Sequence, residues 1–133
     1  MNKINTTWII DDDTTYRFAI QLVLKRAEIT DNMAFFHHGK AALDVLNELI
    51  RENGVLPDLI LLDINMPVLD GWQFLDAFKK ISPGLDHEIR IYMVSSSIDE
   101  EDYKRVKEID AVTDLIIKPI SVKDIQKILA AFQ

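Results

Sequence analysis

The sequence predicts an α/β fold in which a parallel sheet is covered on both faces by helices. Three observations lead there. Short apolar runs alternate strictly with stretches of helical period. The runs are nearly continuous rather than alternating, as expected of strands buried on both faces. The connections are short and carry Gly, Pro, Asn or Asp, so each strand is followed at once by its helix.

The elements follow in order. Trp8-Ile9-Ile10 is an apolar run that stops at Asp11-Asp12-Asp13, which predicts a buried strand β1 (8–10) meeting solvent at its carboxyl end. Helix α1 (14–28) follows, capped by Asp13, Thr14 or Thr15. Its expected inward side carries Phe18, Leu22 and the stem of Lys25, with Ala19, Val23 and Arg26 adjacent. A short β2 (33–36) leads to α2 (40–51), whose stripe is Ala42, Leu43, Leu46, Leu49 and Ile50, and which Asn53-Gly54 stops. Pro57-Asp58 opens β3 (59–62), the clearest strand, which ends at Asp63. A loop through Asn65, Pro67 and Gly71 reaches α3 (72–80), with Phe74, Leu75 and Phe78 inward and Ser82-Pro83-Gly84 as its breaker. Strand β4 (89–94) ends in three serines, and Asp99 caps α4 (100–108). A last strand, β5 (111–117), runs into Lys118-Pro119, and Ser121 caps α5 (122–131), with Ile125, Ile128 and Leu129 inward.

The 133 residues suit one domain, 1–133, with no repeat, linker or following output domain expected. A chain of this size buries roughly two-thirds of its unfolded surface, enough for a real core. There is no cysteine, which removes disulfides and thiolate chemistry and fits a reducing, cytoplasmic compartment. Residues 1–8 show no leader pattern, and the longest apolar run, 59–62, is far too short to span a bilayer. The net charge of −7, from 22 acids against 15 bases, argues against a direct nucleic-acid partner, and the lack of a span leads to the expectation of no membrane partner.

The chemistry lies in the residues that terminate the strands. Asp11-Asp12, Asp63, Ser95 and Lys118 follow four different strands. In an open parallel sheet, sites form beyond the carboxyl ends of the strands, so the fold gathers these residues at one rim. One acid after a strand is an ordinary turn former or cap. Three acids at equivalent ends, beside a lysine, are harder to explain that way. Close carboxylates repel and raise one another's pKa. A hard divalent cation such as Mg²⁺ relieves this and leaves positions for phosphoryl oxygens. Lys118 can balance the acids at rest, pairing with Asp63, and Ser95 can donate a hydrogen bond to a phosphoryl group.

At this point the chain resembles the receiver (response regulator) domain family of two-component signalling. The resemblance runs from about Trp8 to Phe132. It rests on Asp11-Asp12, on the run from Asp63 through Asn65-Met66-Pro67 to Asp70-Gly71, on Ser95 and on Lys118-Pro119. It implies a flavodoxin-like, doubly wound five-stranded sheet of order 2-1-3-4-5. It implies that Asp63 accepts a phosphoryl group from a phosphohistidine of a sensor histidine kinase or histidine phosphotransfer protein. Asp12 and Asp63 would bind Mg²⁺ directly with the Asn65 carbonyl, and Asp11 through water. Ser95 would be the switch hydroxyl and Lys118 the salt-bridging partner, with a Lys118-Pro119 bond that is often cis. Asn65 and Ser97 match the positions that tune hydrolysis. The downstream target would meet the face formed by α4, β5 and α5. No organic cofactor is implied, and the chain would catalyse only its own phosphorylation and dephosphorylation.

Two departures stand out. Leu115 holds the position where the family usually has a large aromatic, and Ser82-Pro83-Gly84-Leu85 adds a turn after α3. His37 and His38 point in opposite directions if extended, so no histidine metal site is expected. Trp72 is expected to pack, and Lys104, Arg105 and Lys107 to form a solvated face that could border the output surface. Two alternatives stay open: a small Mg²⁺-dependent aspartyl-phosphate hydrolase, and a degenerate receiver that only binds.

Overall fold

A computed structural model describes residues 4–132, so the first three residues of the leader reading lie outside it. The order is β1 (Ile4–Ile10), α1 (Thr14–Ala27), β2 (Thr30–Phe36), α2 (Gly39–Glu52), β3 (Leu59–Asp63), α3 (Gly71–Ile81), a 3-10 turn (Ser82–Gly84), β4 (Arg90–Ser95), α4 (Glu100–Lys107), β5 (Val112–Ile117) and α5 (Val122–Ala131). The five strands are parallel and ordered β2-β1-β3-β4-β5. The doubly wound fold is therefore as expected. Among the described residues no helix is long and apolar enough to cross a membrane.

Strand residues divide between two apolar layers by simple alternation. Trp8, Ile10, Ile60, Leu62 and Met93 face α2 and α3, where they meet Leu46, Phe74, Leu75 and Phe78. Ile9, Leu59, Leu61, Val94 and Ile116 face α1 and α5, where they meet Ile20, Leu24, Ile125 and Ile128. A 3-10 turn, Ser82–Gly84, lies where the sequence places a turn after α3.

Three details differ from expectation. β1 and β2 each begin earlier, because polar Thr6 and Thr7 pair with Asn32 and Met33. Thr7 is fully buried, and its hydroxyl is satisfied by the Thr30 hydroxyl at 2.9 Å. Second, α1 presents Arg17, Ile20 and Leu24 inward, whereas Phe18 is 64% exposed and Leu22 44%. The tight Asp13 cap, accepting from the Tyr16 N–H at 3.1 Å, fixes the phase, and the Arg17 guanidinium donates to the Asp11 carbonyl. Third, Arg105 is not simply solvated: its guanidinium lies 4.2 Å from the Trp72 ring centre and covers this buried indole.

At the amino end of the sheet Asp58 joins three strands. Its carboxylate accepts from the Thr6 N–H at 3.0 Å and pairs with His87 at 2.9 Å. Its carbonyl accepts from the Arg90 N–H at 2.9 Å. His38 caps α2, its Nδ1 accepting from the Ala41 N–H at 3.2 Å.

Candidate functional site

Register brings the strand ends level. Ile10 pairs with Leu62, Asp63 with Val94, and Ser95 with Ile117. Asp11, Asp63, Ser95 and Lys118 therefore emerge along one carboxyl rim, between the two helical layers. The Asp11 N–H donates to the Phe36 carbonyl at 3.0 Å, and the Lys118 N–H to the Ser95 carbonyl at 2.9 Å. These bonds extend the ladder one residue past the strands and hold both side chains at the edge. The Lys118-Pro119 bond is cis.

The loop after β3 is equally fixed. The Ile64 N–H donates to the Val94 carbonyl at 3.0 Å, and the Gly71 N–H returns to the Ile64 carbonyl at 2.9 Å. Ile64 and Met66 are buried in the α2–α3 layer and anchor the loop from within. Asp70 caps α3 in a capping box with Gln73. Val68 alone is strained: this β-branched residue sits at φ 68°, in the left-handed region, with its side chain 80% exposed. That conformation costs roughly 1–2 kcal/mol. Val68→Gly is expected to stabilise the protein by about 0.5–1 kcal/mol after the entropy of the freer unfolded chain is subtracted. Calorimetry should show a melting temperature higher by about 2–4 °C; an unchanged or lower value would count against strain at this position.

One oxygen from each of Asp11, Asp12 and Asp63 lies within 4.8 Å of the others. Asp11 and Asp63 are buried, and Asp12 is exposed. Asp11 Oδ1 accepts from the Asp13 N–H at 2.9 Å, while its Oδ2 pairs with Lys118 Nζ at 2.8 Å. Lys118 Nζ is 3.7 Å from Asp63 Oδ1, so the ammonium rests closer to Asp11 than to the expected partner. Burial, and then the neighbouring Asp11 carboxylate, push the Asp63 carboxyl up to about 7, against the opposing pull of Lys118 and the Asn65 N–H. This donor set fits a hard divalent cation: three carboxylates converge where one ammonium is too little to offset them.

The Ser95 hydroxyl is buried and hydrogen-bonded to Ser97 and Asn65. It donates to the Ser97 carbonyl at 3.1 Å and accepts from the Ser97 N–H at 3.2 Å and the Asn65 amide at 3.3 Å. Leu115 is buried beside Met93 in the α2–α3 layer. The sequence reading missed Tyr16, whose ring centre lies 4.2 Å from Lys118 Nζ.

A doubly wound sheet whose carboxyl rim gathers three acids and one lysine defines a class of domain suited to a divalent cation. The chain belongs to the response regulator receiver domain family, whose model matches residues 7–130, and with it to two-component signalling. It is similar in structure to a two-component response regulator from Cytophaga hutchinsonii, with TM-score 0.91 and 27% identity over 98% of each chain. It also resembles the Mn²⁺-bound form of response regulator Rcp1, with TM-score 0.72 and 27% identity over 96% of this chain and 90% of that one. Among curated relatives, it is 29% identical to the probable methanogenesis regulatory protein FilR2 of Methanothrix harundinacea, over 90% of this chain and 75% of that protein. It spans only 32% of another, a protein-glutamate methylesterase/protein-glutamine glutaminase of Methanococcoides burtonii, to which it is 32% identical over 92% of this chain. The receiver fold and the Asp11–Asp12–Asp63 cluster together fit an aspartate phosphorylation site and a Mg²⁺-binding switch.

Proposed function

We propose that this domain, 1–133, is a phosphoacceptor switch in which the Asp63 carboxylate takes a phosphoryl group from a phosphohistidine of a sensor histidine kinase or phosphotransfer protein. One observation carries the reading: three carboxylates converge within 4.8 Å, with the Lys118 ammonium 2.8 Å from Asp11 and 3.7 Å from Asp63. An Asp63 oxygen attacks phosphorus and an O–P bond forms. The P–N bond breaks, and the imidazole leaves with its electron pair and takes up a proton. Asp12, Asp63 and the Asn65 carbonyl are the proposed direct ligands of Mg²⁺, with Asp11 acting through water. When bound, the ion neutralises charge between carboxylate and phosphate and orients the donor.

Lys118 then turns from Asp11 toward the phosphoryl oxygens, and Ser95 exchanges its bonds to Ser97 for one to the same group. Asn65 and Ser97 flank the path of the water that later hydrolyses the acyl phosphate. The proposed readout is a change in protein contacts at the α4-β5-α5 face, where Tyr103, Ile117 and Val122 are exposed apolar residues. The proposed compartment is the cytoplasm.

The test is intact mass after incubation with Mg²⁺ and acetyl phosphate. A single phosphate adduct is expected in the wild type and none in Asp63→Asn. Rapid multiple turnover of the donor would favour a hydrolase, and no adduct under any condition would leave a binding module.

A further inference from the structure

We propose that Tyr16 is a positioning residue for Lys118, holding the ammonium against the acidic rim with the face of its ring. Tyr16 lies in the first turn of α1, where the Asp13 cap fixes its backbone. Its ring centre is 4.2 Å from Lys118 Nζ. The same nitrogen is 2.8 Å from Asp11 and 3.7 Å from Asp63, so the ammonium is held by two carboxylates and one aromatic face. Only 15% of the lysine side chain is exposed. Cation–π attraction strengthens as the cation is desolvated, from a factor of about 3 at exposed sites to about 30 at dry ones.

The hydroxyl is not the reason for a tyrosine here. Tyr16 Oη is buried and has no hydrogen-bond partner among the described residues. Removing it therefore breaks no bond, and phenylalanine should serve as well. The ring also packs against the α1–α5 layer. Lys118 arrives on the strand-end bond to Ser95, but that bond holds only its backbone. Ion pairs with Asp11 and Asp63 draw its four-carbon stem to the rim but leave the donors free to rotate, so a further constraint fixes where the ammonium sits. Tyr16 supplies it without neutralising charge, so the lysine remains available to a phosphoryl group arriving at Asp63.

The inference rests on the phosphoacceptor reading, and its test separates the two. In NMR spectra the Lys118 Hε protons should be shifted upfield by the ring in the wild type and in Tyr16→Phe, and not in Tyr16→Leu or Tyr16→Met. With acetyl phosphate at saturating Mg²⁺, Tyr16→Phe should be phosphorylated within about twofold of the wild-type rate. Tyr16→Leu and Tyr16→Met should be slower by about 3- to 30-fold, with the Mg²⁺ half-saturation point unchanged. Wild-type rates in a folded Leu or Met variant would overturn the proposal. So would a Phe variant as slow as Leu, or Lys118 protons with no upfield shift in the wild type. A wild type that takes up no phosphate overturns the phosphoacceptor reading itself, while the NMR comparison still judges the contact.

Discussion

Asp63→Asn is expected to make the metal-free protein more stable than the wild type at pH 8, by about 2 kcal/mol. The Asp63 carboxyl is raised from its usual 3.8 to about 7, first by burial and then by Asp11. A folded-state pKa above the unfolded one means that the native state holds the proton more tightly. Its contribution to stability is fully present below pH 3.8 and is lost as pH rises through about 7. At pH 8 the wild type therefore carries a buried, repelled carboxylate that the amide lacks. The difference between the two proteins should be nearly constant above the folded-state value and shrink as pH falls from about 7 toward 3.8. Saturating Mg²⁺ should shrink it too, since a ligand that binds only the folded wild-type site stabilises that form by mass action. Urea denaturation at several pH values measures this directly. A wild type more stable than Asp63→Asn at pH 8, or a difference that ignores pH, would show that the carboxylates do not strain the fold.

Gly71→Ala is expected to cost about 3 kcal/mol and to weaken Mg²⁺ binding at least tenfold. A Cβ at this position would lie 2.7 Å from the Asp63 carbonyl oxygen and 2.9 Å from Ile64 Cα, with Met93 Cε also at 2.9 Å. The methionine tip can move, but the two backbone atoms belong to Asp63 and the residue after it and cannot move without carrying Asp63 with them. The requirement here is close approach and not an unusual φ, since no glycine has positive φ. Gly84→Ala is the matched control, because nothing lies within 4 Å of its would-be Cβ. Chemical denaturation with a Mg²⁺ titration followed by tryptophan fluorescence tests both effects. A Gly71→Ala protein as stable as Gly84→Ala would mean that the β3–α3 loop is not packed as described.

The rim was legible because its signal is local: an apolar run that stops at an acid, a serine or a lysine marks where a buried strand meets water. Pairing along the sheet then levels Asp11, Asp63, Ser95 and Lys118. Features that depend on contacts between distant segments were not legible. The phase of α1 was misread because the helix carries two apolar stripes, and only the Asp13 cap and the buried Arg17 choose Ile20 and Leu24 over Phe18 and Leu22. The first halves of β1 and β2 were missed because their residues are polar, although Thr7 and Thr30 satisfy each other in the interior. Lys118 was paired with Asp63, whereas the closer carboxylate is Asp11. Choosing between two acids about an ångström apart in distance is a matter of loop geometry that spacing does not encode. Tyr16 gave no signal, since a helix ring facing a lysine at the end of a distant strand leaves no pattern in the sequence.

Asp58 has a mechanical consequence. It clamps β1, β3 and β4 together at their amino ends, through the Thr6 and Arg90 backbone and His87, while at the opposite end Lys118 links the ends of β5, β1 and β3 through Asp11 and Asp63. The two fastenings sit at opposite ends of the sheet, so a new charge arriving at the acids loosens the lysine fastening and leaves the Asp58 one in place.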